Sequence, residues 1–296
     1  MSQTDKIFNQ AQQLYSNKEY QTVIKLLSNK ALKEYDSAEL YYLCGLAYSR
    51  TNNSEKAIAH HAKAIALSPT FTSAYIARGN ALTTKNKYDK AIADYTKAIE
   101  LDPNCVLAYM NRGLTWVDKR EFDKAIADYD KAIKLNPADA EGYYNRGTAL
   151  IWKYKYDEAI TDFDKAILLN PGYIDAYYNR ASAWTDKEEY QKAIDDLSQA
   201  ILLYPENADA YNSRGNAWRR IKEFDRAIAD FTKALELSPG NKYSNLNLAL
   251  LYDVDLQDYK NALANYDAAL SIGNTDEESV KRRREFVLKK LEEQEK

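Results

Sequence analysis

Apolar side chains recur along this chain with the period of an α-helix. In the stretch YDKAIADYTKAIELDP, residues 88–103, Tyr88, Ala91, Ile92, Tyr95, Ala98 and Ile99 return every three or four residues, and no breaker interrupts them. Such spacing gathers them on one face of a helix. Segments such as LDPN, LNPA and LNPG close these runs. Proline lacks the N–H a helix needs and disfavours the α conformation in the residue before it. Each such segment therefore ends one helix and begins a turn.

All six prolines, Pro69, Pro103, Pro137, Pro171, Pro205 and Pro239, stand 34 residues apart. A fixed period of this kind is the mark of a stacked repeat. With each proline set at place 32 of its period, place 8 reads Gly45, Gly79, Gly113, Gly147, Ala181 and Gly215. Place 20 reads Ala57, Ala91, Ala125, Ala159, Ala193 and Ala227, and place 27 reads Ala64, Ala98, Ala132, Ala166, Ala200 and Ala234. Place 4 is tyrosine in all six periods: Tyr41, Tyr75, Tyr109, Tyr143, Tyr177 and Tyr211. Small residues at fixed places let two helix backbones approach closely. Tyrosine offers a broad apolar body that fills the space between neighbouring helices. Each period is therefore a helix hairpin, with the Tyr and Gly on its first helix and the two alanines on its second.

Period length, small residues, aromatics and terminal proline together resemble the tetratricopeptide-repeat (TPR) family over nearly the whole chain. The resemblance implies an all-α fold, a right-handed superhelical solenoid whose concave groove is lined by the first helices. Eight units are expected in one continuous array over 4–275, namely 4–37, 38–71, 72–105, 106–139, 140–173, 174–207, 208–241 and 242–275. The outer two are degenerate, as end repeats facing water tend to be. In 4–37, Ala11 takes place 8, Tyr20 starts the second helix and Tyr35 replaces the proline. In 242–275, Ala249 takes place 8, and one inserted residue is needed to bring Ala262 and Ala269 into phase. Residues 276–296 are expected to form a capping helix with an N-cap, an acidic first turn and an apolar side of Val280, Phe286, Val287, Leu288 and Leu291.

Place 7, usually apolar in this family, carries Arg78, Arg112, Arg146, Arg180 and Arg214. Place 23 carries Asp94, Asp128, Asp162, Asp196 and Asp230 in the same five periods. An arginine facing a helix interface needs a partner, and the co-occurring aspartates predict intramolecular ion pairs. The alternative is a row of arginines gripping an acidic ligand.

The family presents places 2, 5, 6, 9, 12 and 13 to its groove. There an apolar stripe runs through Ile76, Leu107, Met110, Leu114, Val117, Tyr144, Ile151 and Trp152, with Tyr178 further along. Apolar groups lining a groove mark a binding site, and Trp and Tyr are favoured anchors. The alternative is packing against neighbouring helices. Asn111, Asn145 and Asn179 recur at place 6, with Asn9 and Asn247 in the end periods. They are similar to the asparagine ladder in the TPR domain of the enzyme that attaches N-acetylglucosamine to proteins, which grips peptide main chain. Hydrogen bonding between helices is the other reading, and Leu43, Ala77 and Ser213 interrupt the series. Acidic Glu141, Asp175 and Asp209 flank the stripe, and Arg219 and Arg220 lie further on. These suit a partner with an apolar anchor and basic character. The lysines of the carboxylate clamp that holds acidic C-terminal peptides are missing, because place 5 is never lysine.

The totals narrow the function further. Lys and Arg number 41 against 44 Asp and Glu, so no basic surface argues for nucleic acid. Two cysteines make no disulfide framework, and no window is apolar enough to span a membrane. The start, MSQTDKIFNQAQQLY, lacks the pattern of a secretory signal, so a cytoplasmic protein is expected. Cys44 and His60 occupy the places of the Arg–Asp pair, but too few ligands surround them for zinc. The glycines form no phosphate loop, nothing is placed for nucleophilic catalysis, and no metal or cofactor is expected. The basic run at 281–284 reads as a solvated helix face followed by acidic residues, the alternatives being a nuclear address or a nucleic-acid patch. The expected function is non-enzymatic: a scaffold binding a peptide or partner protein in its groove. The alternative is an assembly module that self-associates through its end repeats or cap.

Overall fold

Each interval between consecutive prolines holds two α-helices in the computed structural model, which describes residues 2–273 and 277–294. The described residues are helical throughout, with no strand, and none of their helices is long and apolar enough to cross a membrane. The chain divides into two compact units, Met1–Lys153 and Tyr154–Lys296. The division falls inside the period 140–173.

The first unit contains α1 (Gln3–Ser16), α2 (Tyr20–Leu26), α3 (Asn29–Tyr35), α4 (Ala38–Arg50), α5 (Ser54–Leu67), α6 (Thr72–Thr84), α7 (Tyr88–Leu101), α8 (Val106–Asp118), α9 (Phe122–Leu135) and α10 (Ala140–Ile151). Sequential helices pack on one another, and α4, α6, α8 and α10 also touch in series. The first helices thus form one layer and the second helices another. The second helix expected in 4–37 is broken in two. Leu27 leaves helical geometry and Ser28 turns extended, so α2 and α3 have seven residues each.

The second unit contains α11 (Tyr156–Leu169), α12 (Ile174–Asp186), α13 (Tyr190–Leu203), α14 (Ala208–Arg220), α15 (Phe224–Leu237), α16 (Lys242–Leu250), a π-helical turn at Leu251–Asp255, α17 (Tyr259–Ile272) and α18 (Glu277–Gln294). The π turn absorbs the inserted residue of 242–275: Leu256 N–H donates to Leu251 O at 3.1 Å, five residues back. It turns Asp253 inward, where the carboxylate accepts from Tyr266 Oη at 3.0 Å and from Arg283 of α18 at 2.5 and 3.0 Å. Val280 and Val287 of α18 are buried against the core of α16 and α17. Of the expected apolar side, Phe286 is exposed and Leu288 and Leu291 are half-buried. The N-cap expected before α18 falls on residues 274–276, outside the described residues.

The small residues work as partners of specific rings. The alanines of places 20 and 27 are buried throughout. A Cβ at Gly79 would meet the Tyr95 ring at 2.6 Å, one at Gly113 the Tyr129 ring at 2.6 Å, and one at Gly215 the Phe231 ring at 2.8 Å. Place 8 therefore answers place 24, and where place 8 is Ala181 the residue at place 24 shrinks to Leu197. The turns between first and second helices share another feature: Asn52, Asn86, Arg120, Tyr154, Glu188 and Lys222 all adopt positive φ, between 56° and 65°.

Candidate functional site

The arginines of place 7 lie half-buried between helices. Arg78 donates to both oxygens of Asp94 at 2.8 and 2.7 Å, and Arg112 does the same with Asp128 at 2.8 and 2.7 Å. Arg180 holds Asp196 at 2.8 and 2.5 Å, and Arg214 holds Asp230 at 2.8 and 2.8 Å. These are fork-to-fork bonds, the strongest geometry available to the pair. Arg146 and Asp162 belong to different units; within its own unit Arg146 donates to Asp130 at 2.6 Å. Each guanidinium also sits over the place-4 tyrosine of its own helix, 5.6 to 5.8 Å from the ring centroid. The carboxylate hydrogen bond raises Arg78 and Arg214 above the ordinary arginine range, so the charge is firmly held.

Two further sets of contacts join successive periods. Nη1 of Arg112, Arg180 and Arg214 reaches back to place 25 of the preceding period, to Thr96, Asp164 and Ser198 at 2.9, 2.5 and 3.0 Å. Along the turns, Lys85, Lys119, Lys153 and Lys187 pair with Glu55, Asp89, Asp123 and Asp157, each 30 residues earlier. The signal in the sequence was a lysine at place 14 after an acidic place 18 in these four pairs; Asp225, followed by Asp255, breaks the series.

Of the twelve expected groove residues, Ile76 to Trp152 lie in the first unit and Tyr178 and Asn179 in the second. Ile76 and Met110 are core side chains, 7 % and 6 % exposed. Ile76 packs in the cluster of Tyr75 and Tyr95, and Met110 in that of Tyr109 and Tyr129. They correct the expected stripe, because place 5 in these two periods turns into the helix interface. Leu107, Leu114 and Trp152 are exposed at 56 %, 40 % and 53 %. Val117, Tyr144 and Ile151 are half-buried. Trp152 lies at the turn edge, its ring parallel to Phe122 at 5.9 Å and topped by the Arg120 guanidinium at 5.6 Å.

The asparagines divide. Asn80 Oδ1 accepts from Asn111 Nδ2 at 2.9 Å and from Tyr95 Oη at 2.7 Å. Thr83 Oγ1 lies 3.4 Å from both Tyr95 Oη and Thr115 Oγ1. Asn111 therefore joins two helices. One period later Leu114, Val117 and Ala149 stand where Asn80, Thr83 and Thr115 stood. Their counterparts in the donor roles are Tyr129 and Asn145, 0 % and 9 % exposed. Tyr129 Oη and Asn145 Nδ2 are buried with no hydrogen-bond partner. Burial raises the Tyr129 hydroxyl above the usual phenol range, so it stays a donor. In the second unit Asn179 is half-buried, and Tyr178 Oη lies 3.0 Å from Ser213 Oγ beside a cavity of about 160 Å³ over Ala181 and Leu197. Asn247 Nδ2 donates to Asn212 Oδ1 at 2.9 Å, again helix to helix.

Other candidates are engaged within the fold. Cys44 Sγ faces Leu27 O at 3.8 Å, and burial pushes its thiol up to about 12. His60 Nδ1 donates to Lys56 O at 2.8 Å. No group of metal-ligating side chains occurs among the described residues. Lys281, Arg282, Arg283 and Arg284 pair with Glu277, Glu278, Asp253 and Asp267, and Arg219 pairs with Asp255 at 2.5 Å.

Comparison with known proteins agrees with this architecture. Tetratricopeptide-repeat family models match residues 72–105, 140–173, 174–207 and 208–241, and also 38–71; a TPR repeat model matches 116–151. No curated protein matches the chain. Among solved structures, MamA is 33% identical over 57% of this chain and 92% of its own, with a TM-score of 0.54. YrrB, described as a TPR protein with an unusual peptide-binding site, is 23% identical over 62% of this chain and 95% of its own, with a TM-score of 0.54. The C-terminal part of a TPR repeat-containing protein from Cytophaga hutchinsonii is 21% identical over 81% of this chain and 99% of its own, with a TM-score of 0.67. The 34-residue period, the glycine–ring pairing and these matches together make the chain a member of the tetratricopeptide-repeat family.

Proposed function

We propose that the chain is a non-catalytic interaction scaffold that holds a partner polypeptide on the first-helix face of α8 and α10. One observation carries this reading. Tyr129 Oη and Asn145 Nδ2 are buried donors without acceptors, where the preceding period fills the equivalent position with the Asn80 amide oxygen. Leaving a buried donor unpaired costs about 1–3 kcal/mol. An acceptor brought by a partner, such as a main-chain carbonyl, relieves that cost for both donors at once. The exposed Leu107 and Leu114 offer the apolar contact beside it, and the exposed Glu141 favours a partner with basic character. Arg112, Arg180 and Arg214 are unsuited to a ligand grip, because Asp128, Asp196 and Asp230 hold their Nε and Nη2 and the preceding period holds their Nη1.

The test is affinity capture with the wild type against the Tyr144→Ala, Trp152→Ala double variant. Partners recovered by the wild type are expected to be lost from the double variant. Equal recovery by a folded double variant sinks the placement on this face.

A further inference from the structure

Arg112, Arg146, Arg180 and Arg214 each use Nη1 on an acceptor at place 25 of the preceding period: Thr96, Asp130, Asp164 and Ser198. Arg78 is the exception, because that place is Ala62. Its Nε and Nη2 are taken by Asp94, and Nη1 has no acceptor among the described residues. A cavity of about 390 Å³ opens at this point, on the second-helix side of the first unit. Ile58 and Ala62 give it apolar walls, and Arg78, Lys87, Lys90 and Asp94 bring the charge.

The balance of charge is positive. Both Asp94 oxygens are committed to Arg78, which leaves the two ammonium groups uncompensated. Neither Lys87 nor Lys90 has an acidic partner among the described residues. The neighbouring acids are engaged elsewhere, Asp89 by Lys119 and Glu55 by Lys85. Lys87 is the N-cap of α7, and no side chain accepts from the first N–H groups of that helix. Their partial positive charge adds to that of the lysines.

We propose that this cavity is a binding site for a small phosphate-type oxyanion. Arg78 Nη1 would supply a fixed planar donor, and Lys87 and Lys90 mobile point charges. The apolar wall leaves room for an organic substituent, so a free phosphate and a phosphate monoester share the required chemistry.

The experiment is calorimetric titration of the full chain with inorganic phosphate and with phenyl phosphate at constant ionic strength. Three proteins are compared: wild type, Ala62→Asp, and Lys87→Gln with Lys90→Gln. Ala62→Asp copies the internal acceptors Asp130 and Asp164, so it keeps the fold and occupies Arg78 Nη1 from within. Wild type is expected to bind, and both variants to bind roughly tenfold or more weakly, with thermal melting of Ala62→Asp no lower than wild type. Tighter binding of phenyl phosphate assigns the site to esters; equal affinity assigns it to the free anion. Failure of the wild type to bind either ligand, or equal binding by a folded Ala62→Asp, overturns the proposal.

Discussion

His61 lies fully buried at place 24, where other periods carry Tyr95, Tyr129, Phe163, Leu197 and Phe231, and neither of its ring nitrogens has a hydrogen-bond partner. Burial, with smaller contributions from His60 and Arg78, holds its imidazole at about 3 against an ordinary 6.5. The folded chain thus refuses a proton that the unfolded chain accepts. Stability from this group is complete above pH 6.5 and is lost as pH falls from 6.5 towards 3. The slope is about 1.4 kcal/mol per pH unit, or about 2 kcal/mol by pH 5. His61→Phe removes the titration and two unpaired buried nitrogens, which cost about 1–3 kcal/mol at any pH. The ring fits, since Gly45 faces His61 as Gly215 faces Phe231. The variant is therefore expected to be more stable by about 1–3 kcal/mol at pH 7 and by about 2 kcal/mol more at pH 5. Repeat arrays do not unfold as one unit, so urea melts need to be paired with hydrogen exchange of α5 at pH 7, 6 and 5. Parallel pH profiles for the two proteins, or a variant no more stable at pH 7, would show that His61 is neither held neutral by burial nor a destabilising group.

Two further substitutions test the packing rules. Gly113→Ala sets a Cβ 2.6 Å from the Tyr129 ring and is expected to destabilise by about 1–3 kcal/mol. Adding Tyr129→Leu, which copies Ala181 and Leu197, should restore most of that in urea melts. Asp128→Asn strands Arg112, half-shielded from solvent, and is expected to cost about 3 kcal/mol, the low end for a buried pair. Arg112→Leu together with Asp128→Asn copies Leu248 and Asn265 of the last period, and its melting should be closer to wild type than that of Asp128→Asn alone.

The fold was legible because one phase was repeated. Six prolines at one place, with tyrosine and small residues at fixed offsets, leave little freedom in where helices start and which faces meet. The Arg–Asp contacts were legible for the same reason, since one period lacking both residues is as informative as another having both. What the sequence hid are contacts made between periods. The acceptors at place 25 and the lysine series at place 14 appear only when one period is set beside the next, and the answer of place 24 to place 8, made within a period, shows only where Ala181 and Leu197 change together. Place 5 was misread because a side chain there faces either solvent or the neighbouring helix, and Ile76 and Met110 are apolar enough for both. The turns carry positive φ on residues such as Tyr154 and Arg120, where no glycine announces it. The inserted residue of the last period was visible, but its effect was not. As a π turn it delivers Asp253 to Arg283 and anchors the final helix.

Leu114 occupies the position that Asn80 fills one period earlier. Leu114→Asn should supply the missing acceptor to Tyr129 and Asn145 from within the fold. Peptides selected from a random library on the wild-type chain, with a hydrogen-exchange footprint on α8 and α10, provide the probe. These peptides are expected to bind Leu114→Asn at least roughly tenfold more weakly, while the variant melts no lower than wild type. Unchanged peptide affinity for Leu114→Asn would contradict the proposed site.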